Sequence, residues 1–138
     1  MKVLEFVRSY LPPDPVIVDA GAYNGRESKM MAEYWPQGHV HSFEPVPELY
    51  GKLEKTTQSY ANITCYQKAL ADDNGRAKFY LSAMKYDPSS VSQSSSLLPP
   101  KEHLDYAPGV LFTRSIEVET VTLDTWAKEA GVDQVDFF

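Results

Sequence analysis

The stretch Val16-Ile17-Val18-Asp19-Ala20-Gly21-Ala22-Tyr23-Asn24-Gly25 constrains this chain more than any other. Its β-branched run is too short for a helix and reads as a buried strand. An acid and two glycines four apart follow at once, which predicts a tight loop opening into a helix. Gly21 lets the backbone turn at positive φ and approach a ligand closely, and Gly25 lets the following helix start close against the sheet. Asp19, at the carboxyl end of the strand, points at the same spot. In open α/β sheets ligands bind there, at the crevice where the strand order reverses.

The dinucleotide fingerprint is G-x-G-x-x-G, whose helix-terminal amides cradle a pyrophosphate. This chain has D-x-G-x-x-x-G. A carboxylate in place of the first glycine repels a pyrophosphate and suits a ligand with cationic or amine groups, as S-adenosyl-L-methionine has. A second apolar strand, Val40-His41-Ser42-Phe43, ends in Glu44-Pro45, 25 positions after Asp19. A carboxylate there can accept both hydroxyls of a ribose, each charge-assisted bond contributing roughly 1.5–3 kcal/mol when shielded from water. The two acids divide the cofactor between them.

These residues, with Ala69 at the end of an expected third strand and Val121-Thr122-Leu123-Asp124 before Val135-Asp136, resemble the FkbM-type family of S-adenosylmethionine-dependent methyltransferases. The resemblance runs from about residue 16 to the end. It implies an α/β, Rossmann-like class I methyltransferase fold, the N-terminal part of a doubly wound, mostly parallel sheet with an added β-hairpin or meander. It also implies a cofactor site of Asp19, Gly21, Ala22, Tyr23, Asn24, Gly25, Glu44, Pro45 and Ala69, with Ala69 bordering the adenine. The acceptor would be a hydroxyl on a small molecule or glycan, and the catalytic base is unassigned. In the family a D-x-x-G segment follows the fourth strand; here the chain stops at Phe138, so the expectation is a single domain over 1–138, truncated after that strand begins. The alternative is a cofactor-binding half-domain without catalytic activity. A nicotinamide-dependent dehydrogenase shares the fold but lacks its first glycine here.

A length of 138 residues suits one domain with one core. The net charge of −6 argues against nucleic acid as principal partner, because phosphate binding needs a basic face. No apolar run approaches membrane-spanning length, and the single Cys65 fits a reducing, cytoplasmic setting.

In chain order, Leu4, Val7 and Leu11 predict a lead-in helix within 1–13, stopped by Pro12-Pro13. Arg26 to about Tyr34 reads as a helix with Met30, Tyr34 and Met31 toward the sheet. Within the loop, Tyr23 and Asn24 either touch the methionine end of the cofactor or, for Asn24, satisfy turn geometry. His39 and His41 share one face of the second strand; with no third ligand in view they read as structural rather than metal-binding. Pro45 and Pro47 start the next helix, buried along Leu49, Leu53 and Tyr60. Ile63–Ala69 reads as the third strand, Asp72-Asp73-Asn74-Gly75 as a turn, and Ala77 to Ser82 as a half-buried strand. The serine-rich segment 85–113 reads as an irregular loop, a lid or acceptor wall if it orders on binding and otherwise a solvated excursion. Ser115–Thr120 is expected as an edge strand. Thr122 caps a helix buried along Leu123, Trp126 and Ala130 and closed by Gly131, and Val135–Phe138 opens a fourth strand.

Overall fold

The computed structural model describes residues 2–84 and 110–138. The chain divides into two compact units, one of residues 1–74 and 120–138, the other of residues 75–119.

In the first unit, α1 (Lys2–Arg8) leads into β1 (Val16–Ala20), α2 (Arg26–Tyr34), β2 (His39–Phe43), α3 (Pro47–Thr57) and β3 (Ile63–Tyr66). The three strands form a parallel sheet ordered β1-β2-β3, with Ile17 opposite Val40, Asp19 opposite Ser42 and Ala20 opposite Phe43. Parallel strands need both faces covered, and alternation divides their side chains accordingly. On one face Ile17 and Val40 pack with Leu4, Met31, Ala32 and Trp35. On the other, Val18 and Phe43 pack with Val121 and Trp126, flanked by Tyr66, Val132 and Val135. His39 and His41 share a face as expected, their rings 4.7 Å apart. His39 Nε2 is 2.7 Å from Thr64 Oγ1, and His41 Nδ1 is 3.0 Å from Tyr66 Oη.

Several boundaries depart from the sequence expectations. The lead-in helix ends at Arg8, not at the prolines themselves, because Pro12 and Pro13 lack the amides that would bond the carbonyls four residues earlier. The buried stripe of α2 is Ser28, Met31, Ala32 and then Trp35, so Met30 and Tyr34 are only half-buried. Tyr60 lies beyond the end of α3, whose buried residues are Leu49, Leu53 and Thr57. β3 stops at Tyr66, where its partner β2 ends, and the Glu44 amide donates to the Tyr66 carbonyl at 3.0 Å. Ala69 therefore does not end the third strand.

Ala69 instead begins β4 (Ala69–Leu70), which pairs in parallel with Thr120 and Val121 of β6 (Val110–Val121). The second sheet is mixed, ordered β4-β6-β5. In the second unit, β5 (Gly75–Met84) adjoins β6 and buries Phe79 and Leu81, while Val118 is buried on β6. Of the lid or wall expected over 85–113, residues 110–113 are thus strand, and residues 85–109 fall outside the described residues.

Back in the first unit, α4 (Leu123–Ala130) is capped by Thr122, whose hydroxyl accepts from the Thr125 amide at 3.1 Å, and closed by Gly131 in the left-handed region. Asn74 fastens the preceding turn to this cap, its Oδ1 accepting from the Thr122 amide at 2.9 Å. The helix buries Trp126 with Ala127 alongside, while Leu123 and Ala130 are exposed. The chain then returns beside β1: the Val18 amide donates to the Phe137 carbonyl at 2.9 Å, and Asp136 Oδ2 accepts from the Val16 amide at 2.8 Å. The expected fourth strand is a single parallel bridge between Ile17 and Phe137, with Phe138 exposed.

Candidate functional site

Because β1 and β2 run parallel with Ala20 opposite Phe43, their carboxyl ends finish level. Two loops, 21–25 and 44–46, consequently leave the sheet side by side. The first is held down by the Ala22 amide, which donates to the Phe43 carbonyl at 2.8 Å. Gly21 (φ 71°), Tyr23 (φ 58°) and Gly25 (φ 87°) all take the left-handed conformation. For Tyr23 this is unusual and carries a steric cost.

Glu44 is the fastening between the loops. It is buried, with Oε1 accepting from the Tyr23 amide at 2.9 Å and Oε2 from the Val46 amide at 3.0 Å. One carboxylate thereby fixes the left-handed turn of the first loop and ties down the amide of Val46, the N-cap of α3. Burial pushes the Glu44 carboxyl above the usual range; the Val46 and Tyr23 amides oppose that, and the neighbouring Asp19 charge adds to it. Pro45 is buried beside it.

Asp19 projects from the α2 side of the sheet. Its Oδ2 accepts from Ser28 Oγ at 2.6 Å, and Ser28 Oγ stands 2.6 Å from Ser42 Oγ. Burial raises the Asp19 carboxyl, the Ser28 hydroxyl pulls it back, and Glu27 adds a smaller rise. Ser28 and Ser42 were invisible to pattern reading, since a serine carries no weight in an apolar repeat. Their signal was position: Ser28 continues the i, i+3, i+4, i+7 series of Met31, Ala32 and Trp35, and Ser42 alternates with His41 and Phe43.

Each glycine has its own surroundings. A Cβ on Gly21 would meet nothing within 4 Å, so the backbone there faces open space. A Cβ on Gly25 would stand 2.9 Å from Leu53 Cδ1 and 3.3 Å from both Thr56 Cβ and Thr57 Cγ2. Gly25 therefore allows close approach to α3, not to the sheet as the sequence suggested. Asn24 Oδ1 accepts from the Arg26 amide at 3.2 Å, which satisfies an orphan donor at the start of α2.

The structure thus brings together Asp19, near the end of β1, with Gly21, Ala22, Tyr23, Asn24, Gly25, Glu44 and Pro45 on two adjoining loops, and places Ala69 on β4 of the second sheet. Chemically this is an anionic, amide-stiffened cup. No group of three or more metal-type side chains occurs among the described residues, and no helix among them is long and apolar enough to cross a membrane.

Residues 19–138 match the family model for the methyltransferase FkbM domain. The chain is similar to the 2-O-methyltransferase NoeI of Sinorhizobium fredii (strain NBRC 101917 / NGR234), at 32% identity over 124 residues. That similarity covers 90% of the chain and 51% of the relative, so the chain spans about half the length of this curated protein.

Proposed function

The chain belongs to the FkbM methyltransferase domain family, and from that premise we propose that it binds S-adenosyl-L-methionine in the cup formed by loops 21–25 and 44–46 and serves methyl transfer to a hydroxyl oxygen of a small molecule or glycan. The observation that carries this reading is the pair of strand-end carboxylates. Asp19 and Glu44 lie near enough for one charge to raise the other's pKa, beside a glycine whose Cβ side is open. Two such acids on a ligand-free protein repel each other; a cation between them removes the cost.

The residues present fit the cofactor. Asp19 takes its cationic amino-acid end. Each Glu44 oxygen spends one lone pair on a loop amide and keeps capacity for a ribose hydroxyl. Gly21 admits the ligand against bare backbone, and Ala69 is assigned the adenine boundary that the family resemblance implies. When bound, the cofactor supplies an already activated sulfonium methyl. The protein's part is then alignment and exclusion of water, which can supply much of such a rate. We read the strand order, with residues 135–137 beside β1, as the opening half of a Rossmann-like class I sheet. The 2-O specificity in the relative's name favours a hydroxyl acceptor here.

The test is calorimetric titration with S-adenosylhomocysteine and, separately, NADH. Saturable binding of the first alone is expected. Absence of that binding, or preference for NADH, overturns the proposal. Transfer of a labelled methyl group to hydroxyl-bearing oligosaccharides then tests the acceptor class.

A further inference from the structure

Two buried serines and the half-buried Asp19 form a single line at the base of the cup. Ser42 on β2 sits opposite Asp19 on β1 in the parallel register, and Ser28 reaches down from α2 to both. Both serines are 0% exposed. A serine hydroxyl has one proton to give. Ser28 gives its proton to Asp19 at 2.6 Å, so the 2.6 Å contact between the serines is satisfied only when Ser42 donates to Ser28. Every proton in the line therefore points toward Asp19. A distance of 2.6 Å falls within the range of a hydroxyl bond to a carboxylate.

Resting on the cofactor reading above, we propose that Ser28 and Ser42 are positioning residues that orient Asp19 and hold it anionic, so that they govern recognition of the amino-acid end of the cofactor and not of its adenosine. Neither serine needs to touch the ligand. Burial, and the Glu27 charge on α2, favour the neutral form of the same carboxylate. The hydroxyl line opposes them. Removing it leaves Asp19 protonated at a higher pH and free to rotate, while Glu44 and its two amide bonds remain as they were.

The experiment compares two ligands that share adenosine: S-adenosylhomocysteine, which carries the amino-acid end, and methylthioadenosine, which lacks it. In Ser28→Ala, affinity for the first is expected to fall roughly tenfold, the size of one charge-assisted hydrogen bond, with affinity for the second changed less than about twofold. The pH at which S-adenosylhomocysteine binding is half lost should rise, and carbon NMR of the ligand-free protein should show the Asp19 carboxyl titrating at higher pH. Ser28→Ala leaves the Ser42 proton without its acceptor, so Ser28→Ala/Ser42→Ala, which removes both buried hydroxyls, serves as the better-folded second variant. Equal loss of both ligands, or an Asp19 titration unchanged in either variant, overturns the inference while the cofactor reading stands. Failure of the wild-type chain to bind either ligand overturns both.

Discussion

Gly25 and Gly21 are both left-handed, yet substitution should separate them. Gly25→Ala adds a methyl 2.9 Å from Leu53 Cδ1, a buried side chain, and so combines overpacking with backbone strain. A loss of roughly 2–4 kcal/mol is expected in urea unfolding. Gly21→Ala meets open space and should cost only about 1 kcal/mol, the backbone part. On the ribose role alone, Glu44→Ala would weaken adenosine binding and leave the fold largely intact. The structure changes that expectation: with two amides released, roughly 1–3 kcal/mol of stability should go together with the affinity. A variant that loses stability but binds S-adenosylhomocysteine unchanged would deny Glu44 its ribose role. His41 supplies the pH test. Burial, with His39 beside it, lowers its pKa to about 4 from 6.5. A base depressed on folding contributes stability above its unfolded pKa and loses it as pH falls. Unfolding measured from pH 6.5 down to 4 should therefore show a decline on the order of 1–3 kcal/mol, flattened in His41→Gln. Asp19 and Glu44, raised by burial, act in the opposite sense in the ligand-free protein, favouring lower pH.

At the scale of elements, the sequence was most informative where one local rule decided the outcome. β1, β2, the glycine loop, the start of α2 and the Thr122 and Gly131 caps were all legible, because turn chemistry and β-branching act within a few residues. Faces were harder. Met30 and Met31 are equally apolar, and which one turns inward depends on where Gly25 sets the first turn against α3. Of the expected stripe Leu123, Trp126 and Ala130, Trp126 alone is buried, its ring edge-on against Phe43 and Tyr66. Ala69 was misplaced for a non-local reason: its partner is Thr120, 51 positions away. The Thr122 cap gives a clean check. Thr122→Ala should cost about 1 kcal/mol and loosen α4, seen as faster amide exchange over 123–127.

For the whole molecule, the cup belongs to the unit formed by residues 1–74 and 120–138, and residues 75–119 form the other. Ligand bound to the native state stabilises by mass action, and the effect is felt first by the unit that holds it. Hydrogen exchange with S-adenosylhomocysteine should therefore protect the amides of Ala22, Tyr23 and Val46 before those of β5. Uniform protection of both units, or none at loops 21–25 and 44–46, would relocate the site.

The space beside Gly25 also limits how this protein can diverge. Position 25 looks toward the flank of α3, against Leu53, Thr56 and Thr57, and not into the cup. A lineage that enlarges position 25 must shrink position 53 or 57 in step. Drift on the flank of α3 is thereby tied to the glycine loop of the proposed binding site.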